Sequence, residues 1–177
     1  MITYREITMQ QLADHMLEID VSEHGDVVYY WVNTEIMPIA ETWDRPRWKN
    51  DSWRESSWLV VEKLPGVKAW GAFEDERMVG VIVFRPRLTL DTAQLAALFV
   101  SQEYRRSGIA VHLFNLLRQQ AKAEGYTRLY VSATPSESAI NFYRSRGFIP
   151  TREVNPELYA LEPDDIHMVM RLNTPEG

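Results

Sequence analysis

Cysteine is absent from this 177-residue chain. Disulfides, thiolate zinc sites and cysteine nucleophiles are therefore excluded, and a reducing compartment, the cytoplasm, is the expectation. Long apolar runs are missing too: none approaches the ~20 residues that a membrane-spanning helix needs. The opening residues, Met1-Ile-Thr-Tyr-Arg-Glu6, are charged and lack the apolar core of a signal peptide. Basic charge is in deficit, with 19 Lys and Arg against 25 Asp and Glu, a formal net charge of −6. A nucleic-acid binder normally displays a basic face that releases counterions, so that class is disfavoured. Mild acidity would attract a cationic partner, and it equally serves solubility. His15, His24, His112 and His167 are scattered without metal-ligand spacing, so no metal is expected. Repeats, linkers and low-complexity tracts are lacking. Residues 1–172 read as one domain, followed by a short disordered tail over 173–177.

The stretch from Gln94 to Ala121 organises the rest. Gln94-Leu-Ala-Ala-Leu-Phe-Val100 is a continuous apolar run suited to a strand buried on both faces. A polar turn with two arginines and a glycine follows, Ser101-Gln-Glu-Tyr-Arg-Arg-Ser-Gly108. The period then becomes helical, with Ala110, Leu113, Phe114, Leu117 and Ala121 on one stripe and Gly125 as a stop. The first amides of a helix lack intrahelical partners and carry about half a positive charge from the macrodipole. Gly108 lets the backbone approach a ligand without an intervening Cβ. Strand, basic turn and helix N-terminus together suit a phosphate, although the same arrangement serves as an ordinary strand-to-helix turn.

Two segments within and beyond this stretch carry a resemblance. Arg105-Arg-Ser-Gly108-Ile-Ala110 resembles the Arg/Gln-x-x-Gly-x-Gly/Ala signature of the GNAT superfamily of acyl-CoA-dependent N-acetyltransferases. Ala139-Ile-Asn-Phe142-Tyr143-Arg-Ser-Arg-Gly147-Phe148 is similar to that family's Ala-x-x-Phe/Leu-Tyr-x-x-x-Gly-Phe segment. The two stand in the family's order, about one strand-helix unit apart, and the resemblance covers roughly Met78 to Leu172. It implies acetyl-CoA as co-substrate, held by Leu98, Phe99 and Val100 along the pantetheine arm. Arg105, Arg106, Ser107, Gly108, Ile109 and Ala110 would hold the pyrophosphate. Ser136 occupies the place where the family often has an asparagine. The resemblance also implies an α/β fold whose mixed, mostly antiparallel sheet splays between two parallel strands, with helices on both faces.

Elsewhere the pattern is coarser. Strands are expected at Tyr4–Ile7, Val27–Val32, Ala69–Phe73, Met78–Arg85, Arg128–Ala133, Phe148–Val154 and Ile166–Leu172. Helices are expected at Met9–Ile19, at Asp51–Lys63, and from a capping box at Thr134-Pro-Ser-Glu137 to about Arg146. Asp20–Gly25 reads as a turn, and Asn33–Asn50 has no regular reading because Pro38 and Pro46 interrupt it. Trp43, Trp48, Trp53 and Trp58 recur every five residues, too far apart in angle to form one helical face. They suit either a lid or wall of an acceptor pocket or packing in the core and at a subunit interface.

Acyl transfer from a thioester to an amine needs a held donor, a stabilised oxyanion and proton movement off the amine and onto the thiolate. The resemblance assigns oxyanion support to the Val100 amide and the general acid to Tyr143, whose phenol suits a thiolate of similar basicity. A ring packed beside Phe142 is the alternative for Tyr143. No carboxylate lies on Gln94–Val100, so the base candidates are Glu23, Glu35, Glu41, Asp164, Asp165 and His167 from flanking segments, or water. The expected reaction moves acetyl from acetyl-CoA to a primary amine, on a small molecule or a peptide, by direct attack in a ternary complex. The missing cysteine removes the thiol route to a covalent intermediate. A coenzyme A-binding sensor or structural module without turnover is the rival reading. No nucleic acid and no membrane are expected as partners, and a homodimer is compatible with the sequence.

Overall fold

The computed structural model describes residues 1–172; the tail expected over 173–177 lies outside them. Seven strands form one sheet in the order β1-β4-β5-β6-β7-β9-β8. They are β1 (Ile2–Ile7), β4 (Lys68–Glu74), β5 (Arg77–Arg85), β6 (Thr92–Val100), β7 (Arg128–Ala133), β8 (Ile149–Pro150) and β9 (Ile166–Arg171). Every neighbouring pair is antiparallel except β6 with β7, which a helix connects. The remaining two strands, β2 (Glu23–Val32) and β3 (Glu35–Arg45), form a separate hairpin. The mixed α/β architecture expected from the resemblance is the one observed.

Helices cover both sheet faces. On one face, α2 (Ile109–Ala123) buries Ile109, Leu113, Phe114, Leu117 and Ala121 against Ile82, Phe84, Leu95 and Val131, and α3 (Glu137–Ser145) adds Ile140 and Tyr143. The stripe is the one the sequence shows, headed by Ile109 instead of Ala110. On the other face, α1 (Met9–His15) buries Leu12 with Trp53, Trp58, Val81 and Val83. The fourth helix, α4 (Pro156–Leu161), is a short one set before β9. Among the described residues no helix is long and apolar enough to cross a membrane.

Several sequence expectations change. The helix expected over Asp51–Lys63 is two 3-10 turns, Ser52–Glu55 and Ser57–Val61, broken where Ser56 is extended at ψ 133°. A 3-10 turn eclipses residues three apart, which puts Trp58 and Val61 on one inward line. Met9–Ile19 likewise ends its α-helix at His15 and continues as a 3-10 turn to Glu18. The N-cap sits two residues later than expected and the capping box is lost: Ser136 caps α3, its hydroxyl accepting from the Ala139 amide at 3.2 Å, and Ala139 has no polar side chain to reach back. The strand expected over Phe148–Val154 shrinks to Ile149–Pro150, and the acidic stretch before β9 contains α4.

Asn33–Asn50 is the largest change, because β3 runs straight through Pro38. Pro38 faces Tyr29, and the Tyr29 amide turns away from β3 to donate to the Pro135 carbonyl at 2.8 Å. Tyr29 and Pro38 are thus a non-hydrogen-bonded pair, and the proline nitrogen faces the open edge, where no ladder bond is lost.

Candidate active site

The sheet opens between β6 and β7. Their parallel pairing runs from Thr92–Arg128 to Leu95–Val131 and stops there. At the same level β6 carries a bulge: Val83 faces Ala97 and Phe84 faces Leu95, leaving Ala96 as an extra residue. A bulge bends its strand and sharpens the local twist, which turns the end of β6 away from β7. The Ser101 amide donates to the Val79 carbonyl at 2.8 Å, so Gly80 and Val100 form a non-hydrogen-bonded pair. By alternation, the amides of Val100 and Leu98 point into the opening, while Phe99 bonds to β5. Phe99 instead gives its ring to Trp48 and Trp58, with centroids 5.0 and 6.2 Å away.

The turn after β6 is pinned at its root and open at its tip. Ser101 is fully buried; its hydroxyl accepts from the Asp20 amide at 2.9 Å, and the Gln102 amide donates to the Asp20 carbonyl at 2.9 Å. Arg106 and Gly108 take left-handed conformations, with φ of 61° and 88°. Gly108 is the N-cap of α2, and no side chain caps that end. A Cβ built on Gly108 would meet nothing within 4 Å, so the space in front of the helix start is free. Arg105 turns inward: its Nε donates to the Val100 carbonyl at 3.2 Å, and its Nη1 lies 3.9 Å from Glu23.

Tyr143 lies on α3 with its ring 5.4 Å from Phe142 and 5.5 Å from Phe148. The residue is 7% exposed, and its hydroxyl makes no hydrogen bond among the described residues. Burial raises its pKa well above the ordinary phenol value, and the charges of Asp165 and Glu162 raise it further. The phenol therefore keeps its proton throughout the neutral range.

The base candidates separate cleanly. Glu23 is committed: Arg45 holds it at 2.8 Å and the Ser138 hydroxyl donates to it at 2.5 Å. His167 is committed as well, with the Tyr130 hydroxyl at 2.6 Å from Nδ1 and the Glu162 carbonyl at 3.1 Å from Nε2. Burial lowers its pKa, so it stays neutral, Nε2 donating and Nδ1 accepting. Glu35 is exposed at the tip of the hairpin; Glu41 is exposed and accepts from the Tyr30 hydroxyl at 2.6 Å. Asp165 differs. It stands just ahead of β9, beside the end of β7, where Ser132 donates to it at 3.2 Å and the Glu162 side chain acts on it from close by. Burial first, then that contact, raises its carboxyl from 3.8 to about 8.

The sequence profile of the Acetyltransferase (GNAT) family matches residues 27–148. The chain belongs to the GNAT family. Human N-acetyltransferase 8 is 37% identical over 87 residues, which is 46% of this chain and 38% of that protein. The chain thus spans well under half the length of this curated relative. Among solved structures, nourseothricin acetyltransferase superposes with a TM-score of 0.69 at 17% identity, covering 97% of this chain and 98% of that one. A Bacillus anthracis protein described as a streptothricin acetyltransferase, solved with acetyl coenzyme A, reaches 0.70 at 19% identity with the same coverage. At these identities the structural likeness speaks for the fold.

In this GNAT protein the expected site residues fall into three groups. Leu98 and Val100 face the opening, Arg106 to Ala110 surround the free start of α2, and Tyr143 lies beneath the acidic hook before β9. Ser136 spends its hydroxyl on capping α3, also touching Ser138 at 3.3 Å, and its neighbourhood is pinned to β2 by a bridge with Val28. Trp53 and Trp58 are buried core residues, and Trp43 donates to the Val27 carbonyl at 3.0 Å, so the tryptophan series is largely packing. Sequence reasoning had no means of ranking Asp165 above the other carboxylates, because its partners Ser132 and Glu162 meet it only in the fold.

An acid whose folded pKa is raised binds its proton more tightly folded than unfolded, so it costs stability as pH rises. For Asp165 that cost grows from about pH 4 to about pH 8 and is constant above. Asp165→Asn should therefore melt increasingly above wild type as pH rises through this window. A difference in melting temperature that does not change with pH would show Asp165 to ionise like a surface carboxylate.

Proposed function

We propose that this protein transfers an acetyl group from acetyl-CoA to a primary amine by direct attack within a ternary complex. The observation carrying the reading is continuity: the free amides of Leu98 and Val100 lead through one short turn to the uncapped start of α2. A ligand with an amide-bearing arm and a diphosphate at its far end would meet both features in sequence. Strand-like pairing of the arm with Leu98 and Val100 would complete the open edge of β6. The diphosphate would rest on the amides of Ser107 to Ala110, where unpaired N–H groups and the helix dipole favour negative charge. Arg106, exposed beside that end, is the better placed of the two arginines to attract the anion. Arg105 instead braces the turn through the Val100 carbonyl.

With the thioester at the inner end of the opening, the Val100 amide supports the oxyanion as the amine attacks. Tyr143 gives its proton to the departing thiolate. Ser136 acts by setting the start of α3. The hydrogen-bonded clasp of Ser101 on Asp20 fixes the strand end, so the donors are in place before the substrate arrives. The acceptor is a small-molecule or peptide amine. The cysteine-free composition fits a cytoplasmic setting.

Coenzyme A should raise the melting temperature of the wild-type protein by mass action. Gly108→Glu should abolish that shift, because its carboxylate would occupy the free space before α2. Gly108→Ala keeps most of the binding and controls for backbone strain at this left-handed position. Unchanged coenzyme A affinity in Gly108→Glu by calorimetry would remove the diphosphate from this turn.

Tyr143→Phe keeps the ring packing and deletes only the hydroxyl. Turnover in an amine-dependent thiol-release assay should fall by about 10²–10⁴, while coenzyme A binding and melting temperature change little. Wild-type turnover in the phenylalanine variant would make Tyr143 a packing residue. Coenzyme A binding with no turnover for any amine would favour a binding module.

A further inference from the structure

The hook between α4 and β9 belongs to no part of the catalytic scheme above. Its carbonyl at Glu162 is anchored by His167 Nε2, and His167 is anchored in turn by the Tyr130 hydroxyl, which also accepts from the Asn155 amide at 2.9 Å. The Asp165 amide adds a turn bond to the Glu162 carbonyl at 3.3 Å. A loop fixed from both sides carries Glu162, Asp164 and Asp165 to the end of β7, where the sheet is already open. Across the opening, the outer face of the β2–β3 hairpin brings Tyr30 with Glu41 on its hydroxyl, and the Asp164 charge also acts on Tyr30. Tyr143, a residue nine-tenths buried whose hydroxyl makes no hydrogen bond among the described residues, stands in the field of Asp165 and Glu162.

Acidic residues gathered at a surface would by themselves say little. Here they meet a buried phenol with no partner, and one of them is held in place by hydrogen bonds on two sides. We infer that Asp165, positioned by Ser132 and Glu162, is the general base that takes the proton of a cationic amine acceptor docked between the hook and the hairpin. The inference rests on the acetyltransferase reading and names the group which that reading leaves open.

Proton accounting supports this placement. The acceptor arrives as R–NH3⁺ and loses one proton to the Asp165 carboxylate. The freed lone pair forms the C–N bond as the C–S bond breaks, the nitrogen sheds a second proton, and the thiolate takes one from Tyr143. Asp165 then returns its proton to solvent, the second nitrogen proton passes to solvent, and Tyr143 recovers its own from solvent, so the products are the acetamide, the free thiol and one net released proton. The groups facing Asp165 are Glu162 at the end of α4, Asp164 beside it, Ser132 on β7 and Tyr143 on α3. Once protonated, Asp165 no longer raises the pKa of Tyr143 by its charge. The acid is strengthened at the step that needs it.

The probe is 1,4-diaminobutane at saturating acetyl-CoA, with thiol release followed from about pH 6.5 to about pH 9.5 in wild type and Asp165→Asn, and the coenzyme A melting shift measured in both. The expected result is a loss of about 10²–10⁴ in kcat/KM near pH 7.5 in the variant, shrinking as pH approaches the amine's own pKa, with the melting shift retained. Recovery at high pH is the signature, since an amine already neutral needs no base. A variant profile parallel to wild type at all pH values overturns the assignment and leaves the acetyltransferase reading standing. No wild-type thiol release with the diamine also overturns it, as the hook is then not a cationic amine site. In that case the wild-type melting shift decides separately whether the coenzyme A reading survives.

Discussion

The parting of β6 from β7 is the constraint on which the rest of the molecule depends. A parallel pair that stayed zipped to the end would bury every amide of β6 and leave no edge for a ligand. Pairing stops after Leu95 and Val131, where Ala96 is bulged out against β5. From that point Leu98 and Val100 hold amides with no strand opposite them. Such groups are costly to bury unless satisfied, so the opening must be filled by water or by a partner with amides of its own. The bulge and the free edge are held by what surrounds them: β5 buries almost completely beside β6, and α2 packs across both.

A second layer of contacts prevents the opening from simply collapsing. Ser101 is tied to Asp20, and Glu23 joins Arg45, Ser138 and, more distantly, Arg105. These residues come from the start of β2, the end of β3, the turn after β6 and the first turn of α3. One carboxylate thus links four elements around the mouth of the cleft. That commitment ties up Glu23, whereas Asp165 has a hydroxyl and another carboxylate as its nearest partners, which is why the proposal gives the base to Asp165. The difference lies in the neighbours, since both are half-buried acids near the same opening.

Much of this arrangement was legible in the sequence where local rules and tertiary rules agree. The apolar run of β6, the left-handed glycine and the helical stripe of α2 are local signals, and the helix between β6 and β7 dictates their parallel pairing. The hairpin through Pro38 was not legible, because a proline is compatible with a strand only if its nitrogen faces an edge. That fact depends on Tyr29 reaching for Pro135 far along the chain. The 3-10 turns around Trp53 and Trp58 escaped for a related reason: the extended break at Ser56 resets the phase, and what fixes it is burial against the sheet. In the site, Gly108 and Tyr143 stand in recognisable motifs. Asp165 has none, since Ser132 and Glu162 reach it from different elements.

Amide hydrogen exchange resolved by residue tests the central claim most directly, with and without saturating coenzyme A. In the free protein Leu98 and Val100 should exchange quickly although they lie within a strand, while Phe99 between them is protected by its bonds to β5. Coenzyme A should protect Leu98 and Val100 together with the first amides of α2, and leave Phe99 nearly unchanged. Slow exchange at Leu98 and Val100 without ligand, or no protection when coenzyme A is bound, would contradict an open strand edge as the seat of the cofactor.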